Sequence, residues 1–213
     1  PMNGNLFKIV LVSVVAILLA IIGGIINSQL TAASNLHVYD IDASKCREME
    51  HQFAIKVAAS AEEAAAVADI LFIAVKPNII PGLLPQLKPH IKPGCIVISI
   101  AAGVTLATLE QGLSGDHKIV RVMPNTPALV NCGMSSITPN ANITPAELES
   151  VLAIFKSFGE AEVVSEYLIH SVVAVSGSAP AYAFMFIEAM ADAAVLGGMP
   201  RAQAYKFAAQ TLL

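Results

Sequence analysis

Short apolar runs alternate with amphipathic stretches up to about residue 165. Continuous apolar runs bounded by turn residues are typical of strands buried on both faces of a parallel sheet. The stretches between them carry apolar residues at helical spacing, which predicts helices between the strands. The first predicted strand follows Phe7, and the later ones are Leu36–Asp40, Ile55–Ala58, Ile70–Val75, Cys95–Ile100, Lys118–Met123, Met134–Thr138 and Glu162–Ser165.

Capping residues predict where several of the helices begin. Asp42 and Thr105 precede helical stretches, and side chains of this kind accept hydrogen bonds from the free N–H groups of a first turn. Ser60–Glu63 and Thr144–Glu147 fit the capping box, in which a Ser or Thr and a Glu three residues later bond to each other's backbone. Gly159 is predicted to close the last of these helices.

The regular alternation of strands and helices predicts an α/β fold with a Rossmann-like, doubly wound parallel sheet. After Glu166 the pattern predicts helices only. A long helix should follow Ser176–Pro180 and reach about Leu196, and another should begin at Pro200. This helical part is too short to bury its own apolar faces, so we expect it to be an incomplete domain or one that a partner subunit completes.

The apolar segment Phe7–Leu30 allows different interpretations. Its position favours the first strand, turn and helix of a dinucleotide-binding βαβ unit. However, the places where such a turn carries glycines hold Ser13, Val15 and Leu18. One alternative is a membrane span, because residues 7–26 are long and apolar enough to cross a bilayer. Another is that the sequence of this segment is altered, engineered or misassigned. We favour the buried strand and helix, because a good second strand follows at once and no signal-cleavage site does.

Composition and charge narrow the function classes. The chain is 55% hydrophobic and only 13% charged, with a mean hydropathy of +0.68, which predicts a face buried against a partner or a membranous segment. A net charge of −4 gives no basic surface for nucleic acid. Cys46, Cys95 and Cys132 lack disulfide-framework or metal-ligand spacing, so we expect no metal site and a reducing, cytoplasmic compartment.

Short motifs follow several of the predicted strands and open the long helix. They are Val75–Pro77, Ala101–Thr105, Arg121–Pro127 and Ser176–Tyr182. In this order and at this spacing they resemble the pyrroline-5-carboxylate reductase family, and the resemblance runs from about residue 21 to residue 213. It implies an oxidoreductase of proline biosynthesis that reduces 1-pyrroline-5-carboxylate to L-proline by hydride transfer from NADPH or NADH.

The resemblance also implies a domain organisation and an assembly. Residues 1–164 would form a dinucleotide-binding Rossmann domain, and residues 165–213 the start of a helical substrate and dimerisation domain. The protein would be a homodimer or larger homo-oligomer, without a nucleic-acid or membrane partner. The chain departs from the family at Ser13–Leu18, where the glycine-rich turn is lost, and the family's Ser-Pro-Gly-Gly segment would lie beyond Leu213. The alternatives are therefore a non-catalytic, dimerising relative with impaired cofactor binding, or a membrane-anchored protein spanning at residues 7–26.

The family's cofactor site would fall at the carboxyl ends of the strands. Ala74–Pro77 would line the nicotinamide ribose, and Ala101–Gly103 would permit close approach of the ligand or merely tight packing. Asn125 would bond near the nicotinamide or brace its loop. Asp40 would accept from ribose hydroxyls, which favours NADH, or act as a turn residue. The predicted cofactor-binding residues are Ser13, Val14, Val15, Ala16, Ile17, Asp40, Ala74, Val75, Lys76, Pro77, Ala101, Ala102, Gly103 and Asn125.

The predicted substrate-binding residues are Glu166, Ser176, Gly177 and Ser178. Ser176–Ser178 is expected to open a helix whose N–H groups suit a substrate carboxylate, or to be an ordinary cap. Glu166 would hold the proton of the iminium group, or be a solvated acid. No residue is predicted to be catalytic, because hydride transfer depends on aligning cofactor and substrate rather than on acid–base groups.

Overall fold

The structure is a computed structural model that describes residues 7–12 and 16–213, without the side chain of Ala16. The predictions for Ser13, Val14 and Val15 lie outside the described residues. The described strands are β1 Ile9–Val12, β2 Leu36–Tyr39, β3 Lys56–Val57, β4 Ile70–Ile73, β5 Ile96–Ser99, β6 Lys118–Met123, β7 Gly133–Pro139 and β8 Gly159–Val163. The described α-helices are α1 Ala16–Asn27, α2 Ala43–Phe53, α3 Ala61–Val67, α4 Ile80–Leu87, α5 Leu106–Leu113, α6 Pro145–Lys156, α7 Ile169–Val172, α8 Ala179–Leu196 and α9 Arg201–Leu212.

The strands form one eight-stranded sheet in the order β3-β2-β1-β4-β5-β6-β7-β8. The predicted α/β fold with a Rossmann-like, doubly wound sheet is confirmed, and β1 is an inner strand that pairs with β2 and β4. One pairing differs from the prediction of a wholly parallel sheet, because β7 runs antiparallel to β6. The physical reason is the connection between them, a short 3₁₀ turn at Thr126–Val130. A parallel pair would require a longer crossover, usually a helix.

The sheet is covered on both faces, and successive residues of its strands point to opposite sides. In β1, Ile9 and Leu11 belong to the apolar cluster on the side of α1 and α6. Val10 and Val12 belong to the cluster on the side of α3, α4 and α5. Burial on both sides explains why this strand is a continuous apolar run rather than an alternating one.

The apolar segment at the start of the chain is therefore part of the core. Ile9–Val12 is a strand paired on both sides, with Ile9 opposite Leu36 and Ile70. On the helix that follows, Ile21 is fully buried. The alternative of a membrane span at residues 7–26 is wrong, because the segment contains a central strand rather than one continuous helix.

Most of the predicted helix caps are present. The side chain of Asp42 accepts from the Ser44 amide, and Thr144 with Glu147 forms the complete capping box. At the third helix the box is only half formed. Ser60 accepts from the Glu63 amide at 3.1 Å, but the Glu63 carboxylate accepts from the Ala59 amide instead of the Ser60 amide.

The end of the sixth helix differs from the prediction. The helix ends at Lys156, and Gly159 begins β8 instead of closing the helix. This strand ends at Val163, so the strand predicted at Glu162–Ser165 is displaced toward the N-terminus. Gly159 pairs with Gly133 of β7, and the close approach of these two backbones explains why a glycine is needed there.

The chain divides into two compact units, residues 1–169 and residues 170–213. In the second unit, α8 packs on α9 through the small buried side chains of Ala191, Ala204 and Ala208. Large apolar side chains remain on its surface, and Phe184 is 69% exposed. By length and composition alone, the helical stretch Glu166–Leu196 is long and apolar enough to cross a membrane, although such a single helix is weak evidence for a span.

The half-buried imidazole of His37 predicts a loss of stability in acid. Burial first, and then the charges of Lys56 and Lys8, hold the pKa of His37 below its ordinary value of 6.5. As the pH falls below 6.5, the unfolded chain takes up this proton before the folded chain does, so the free energy of unfolding decreases. Urea unfolding from pH 7.5 to pH 5 should show this loss, and His37→Phe should reduce it. Identical pH dependence in the parent and the variant would contradict the prediction.

Candidate functional site

The order of the strands reverses between β1 and β4, since the chain continues outward to β2 on one side and to β5 on the other. In an open α/β sheet the crevice at such a point, beyond the carboxyl ends of the strands, is where ligands bind. A cavity of about 240 Å³ lies at this edge. It is lined by Ile17, Ala74, Val75, Lys76, Ile100, Ala101, Ala102, Met123 and Pro124.

Residues from separate predicted motifs come together in this cavity. The predicted cofactor residues that line it are Ile17, Ala74, Val75, Lys76, Ala101 and Ala102. Sequence reasoning missed Ile100, Met123 and Pro124 as lining residues, although each ends or follows a strand that reaches this edge. Pro77, Gly103 and Asn125 adjoin the lining residues along the chain. The individual roles of all these residues stay predictions.

The walls of the cavity are small and mostly apolar. Ala74 and Ala101 are 3% and 6% exposed, and their methyl groups leave space that a larger side chain would fill. Gly103 follows with a φ of +76°, a backbone conformation that glycine adopts at little cost. Lys76 is exposed at the rim and adds a positive charge. A flat heteroaromatic group attached to a phosphate fits this combination of apolar walls and a charged rim.

Asp40 follows β2 at the same edge of the sheet. Its Oδ1 accepts from the Asp42 amide at 2.7 Å, and its own amide donates to Cys46 Sγ at 3.2 Å. Hydrogen bonds from Ser44 hold the pKa of the Asp42 carboxyl below its usual range. The predicted turn role of Asp40 is confirmed by these bonds, and its contact with a ribose stays a prediction.

Asn125 braces the loop that follows β6. Its Oδ1 accepts from the Met134 amide at 2.8 Å, which joins this loop to the beginning of β7. The bracing alternative is therefore confirmed. A contact between Asn125 and a bound cofactor stays a prediction.

Glu166 has protein partners that the sequence did not reveal. Its Oε1 accepts from the Leu106 amide at 2.7 Å, at the first turn of α5. The same oxygen pairs with Nη1 of Arg121 at 2.8 Å, and Arg121 is largely buried. These partners are distant along the chain, so no local pattern could have indicated them. The contact of Glu166 with a substrate stays a prediction, although this oxygen is already engaged.

The prediction that Ser176–Ser178 opens a helix or caps one is met only in part, because Ser178 is the N-cap residue of α8 but makes no capping bond with its side chain. The backbone before it is already helical. A π-helical turn spans Val173–Gly177, directly before α8. The Ser178 amide donates to the Val173 carbonyl at 2.8 Å, so it is not available to a carboxylate. π-Helical turns are frequent at functional sites. The substrate contact of Ser176, Gly177 and Ser178 stays a prediction.

Two family models match separate parts of the chain. The model described as "NADP oxidoreductase coenzyme F420-dependent" matches residues 17–103, which contain much of the cavity wall. The model described as "Pyrroline-5-carboxylate reductase dimerisation" matches residues 166–213. The second match covers α8 and α9, whose large apolar side chains are exposed.

Relatives and solved structures agree with these matches. The chain is 56% identical over 194 residues to a pyrroline-5-carboxylate reductase of Escherichia coli (strain K12), covering 91% of this chain and 72% of that protein. The pyrroline-5-carboxylate reductase of Coxiella burnetii has a similar structure, with a TM-score of 0.92 at 28% identity over 97% of this chain and 77% of that one. The Plasmodium falciparum pyrroline carboxylate reductase, solved with NADP bound, has a TM-score of 0.87 at 30% identity over 99% and 77%.

Proposed function

Because the chain belongs to the pyrroline-5-carboxylate reductase family, we infer that it is an oxidoreductase of proline biosynthesis that reduces 1-pyrroline-5-carboxylate to L-proline with NADPH or NADH. The cavity that motif residues line at the carboxyl edge of the sheet is the observation that carries this function. The match of residues 166–213 to a dimerisation model indicates a homo-oligomer.

We propose that this cavity receives the nicotinamide end of the cofactor, which supplies the hydride when bound. Ala74, Ala101 and Ala102 would let a flat ring approach the backbone closely. Ile17 and Met123 would exclude water from the ring, and Lys76 would offer a positive charge to a phosphate. The protein's contribution to the rate is then chiefly the alignment of the cofactor with the imine carbon.

The substrate contacts belong to the same proposal. Ser176 and Ser178 carry hydroxyl groups that can donate to a substrate carboxylate, and Gly177 between them adds no side chain. Glu166 would stabilise the proton of the iminium group. Its bond to Arg121 keeps the carboxylate in place but also competes for one of its oxygens, so this assignment has less support than the hydroxyl contacts.

We also propose the domain organisation, the assembly and the compartment. Residues 1–164 would be the cofactor domain and residues 165–213 the dimerisation domain of a homodimer or larger homo-oligomer. The exposed apolar helices coincide with the dimerisation match, which favours contact with another copy over contact with a membrane. The acidic net charge disfavours nucleic acid. The free, mostly buried cysteines suit the reducing conditions of the cytoplasm.

A second candidate is a dimerising relative that binds its cofactor poorly. The observation in its favour is the turn sequence, since Ser13 and Val15 stand where the family carries glycines. A branched Val15 side chain would occupy space that a bound pyrophosphate needs. Leu18 also replaces a glycine, but it is fully buried in the core and so contributes to stability.

A titration with both dinucleotides separates the two candidates. We expect Ser13→Gly combined with Val15→Gly to lower the dissociation constant for NADPH by about tenfold, equivalent to ~1.4 kcal/mol, because glycine frees the turn for a phosphate. Cofactor fluorescence measures binding, and oxidation of NADPH with 1-pyrroline-5-carboxylate measures turnover. Saturable binding and turnover by the parent chain would support the reductase. Binding only by the glycine variant would support the poorly binding relative, and no binding by either would contradict both.

A further inference from the structure

A buried thiol lies directly behind the loop that carries Asp40. Cys46 is in the first part of α2 and is 2% exposed. Its sulfur accepts from the Asp40 amide at 3.2 Å and donates to the Asp40 carbonyl at 3.7 Å. One side chain thus bonds both backbone groups of the same residue.

The thiol is suited to make both bonds at once. Burial raises the pKa of Cys46, with a smaller contribution from the negative charges of Asp40 and Asp42. The group therefore keeps its proton near neutral pH, where an S–H can donate while the sulfur accepts. A thiolate would lose the donated bond and would place a negative charge beside two carboxylates.

The carboxylate of Asp40 is restrained by a separate contact. The Asp42 amide donates to Asp40 Oδ1, which orients the side chain, while Cys46 holds the main chain. Asp42 in turn caps α2, the helix that carries Cys46. Hydrogen bonds within the turn between β2 and α2 therefore restrain both the main chain and the side chain of Asp40.

We propose that Cys46 is a positioning residue for the dinucleotide. By fixing the main chain of Asp40, its thiol presents the Asp40 carboxylate to the adenosine ribose and so contributes to the preference between NADH and NADPH. The inference rests on the proposed function and on the proposed ribose contact of Asp40. A carboxylate in this place accepts hydrogen bonds from a ribose 2′-hydroxyl and repels a 2′-phosphate. A displaced Asp40 would therefore weaken NADH binding and relax the exclusion of NADPH.

The test is a fluorescence titration of NADH and NADPH against the intact protein and its variants. The readout is the ratio of the two dissociation constants, which a general loss of stability would leave unchanged. Cys46→Ala should shift this ratio by roughly three- to tenfold in favour of NADPH, the range expected for a lost hydrogen bond. Cys46→Ser keeps a donor and an acceptor and should retain the parent ratio within about twofold.

Two further variants complete the design. Cys95→Ala removes the other buried cysteine, which lies directly before β5 in the second apolar cluster, and should leave the ratio unchanged. Asp40→Asn tests the underlying assignment and should shift the ratio in the same direction as Cys46→Ala. If the alanine variant does not fold, Cys46→Val fills the same space without the thiol and takes its place.

Each outcome has one meaning. A shift in Cys46→Ala with retention in Cys46→Ser supports the proposal. An equal shift in Cys46→Ala and Cys46→Ser would mean that packing, not hydrogen bonding, is responsible, and would overturn the proposal. The proposal would also be overturned if Asp40→Asn shifts the ratio while Cys46→Ala does not. If Asp40→Asn itself has no effect, the ribose assignment is wrong and the inference falls with it. If the parent binds neither dinucleotide, the proposed function fails instead.

Discussion

Replacing Gly159 by alanine is expected to destabilise the chain by about 3 kcal/mol or more. An added Cβ would lie 2.0 Å from the Gly133 carbonyl oxygen and 2.6 Å from the Gly133 nitrogen. Both atoms belong to the paired strand β7, so the clash cannot be relieved by rotating a side chain. Relief requires that the two strands separate, which weakens the edge of the sheet.

Thermal unfolding and urea unfolding would measure this loss. For a chain of this size, each kcal/mol corresponds to about 2–4 °C in the melting temperature. Gly82→Ala is the matched control, because Gly82 lies in α4 with no atom within 4 Å of the added Cβ. It should change the stability little or raise it by up to about 1 kcal/mol, through helix propensity. Equal melting temperatures for Gly159→Ala and Gly82→Ala would refute the argument.

Ala102→Leu is expected to raise the dissociation constant for NADPH at least about tenfold, or ~1.4 kcal/mol. Ala102 lines the cavity at the carboxyl edge of the sheet, yet its own side chain is exposed. A leucine there would occupy the space proposed for the cofactor without disturbing the core. The melting temperature should therefore stay nearly unchanged, since exposed substitutions are usually worth less than about 0.5 kcal/mol.

The control for this variant is the same substitution at a nearby exposed alanine. Ala107 lies on α5 and is not among the residues that line the cavity. Ala107→Leu should bind NADPH as the parent does. If Ala102→Leu also binds as the parent does, the cofactor does not occupy this cavity, and the proposed site must be abandoned.

The order of strands and helices could be predicted because each strand is a continuous apolar run. The run at Ile70–Ile73, for instance, is buried on both faces in the structure. Strand direction could not be predicted for β7, because the pattern of apolar residues is the same in either direction. Gly159 was assigned to a helix end because local sequence does not reveal the neighbouring backbone of Gly133.

For the candidate site, too, the residues in local motifs could be predicted, whereas contacts between residues distant along the chain could not. Ala74 and Ala101 could be placed at the cavity, because Ala74 lies at the end of one predicted strand and Ala101 directly follows another. The partners of Glu166 could not be predicted, since Leu106 and Arg121 meet it only after the sheet has formed. The thiol behind Asp40 was missed for a similar reason, because an isolated cysteine in a helix carries no sequence signal for the loop it supports.

Because the second unit has only a small core, we expect its stability to depend on the protein concentration. Only alanines are fully buried between α8 and α9, while Phe184 and Phe207 are more than half exposed. In the proposed assembly, burying such rings against another copy would contribute free energy that the helices alone lack. By mass action, dilution would remove that contribution, so folding of this unit and assembly of the oligomer would be one coupled equilibrium.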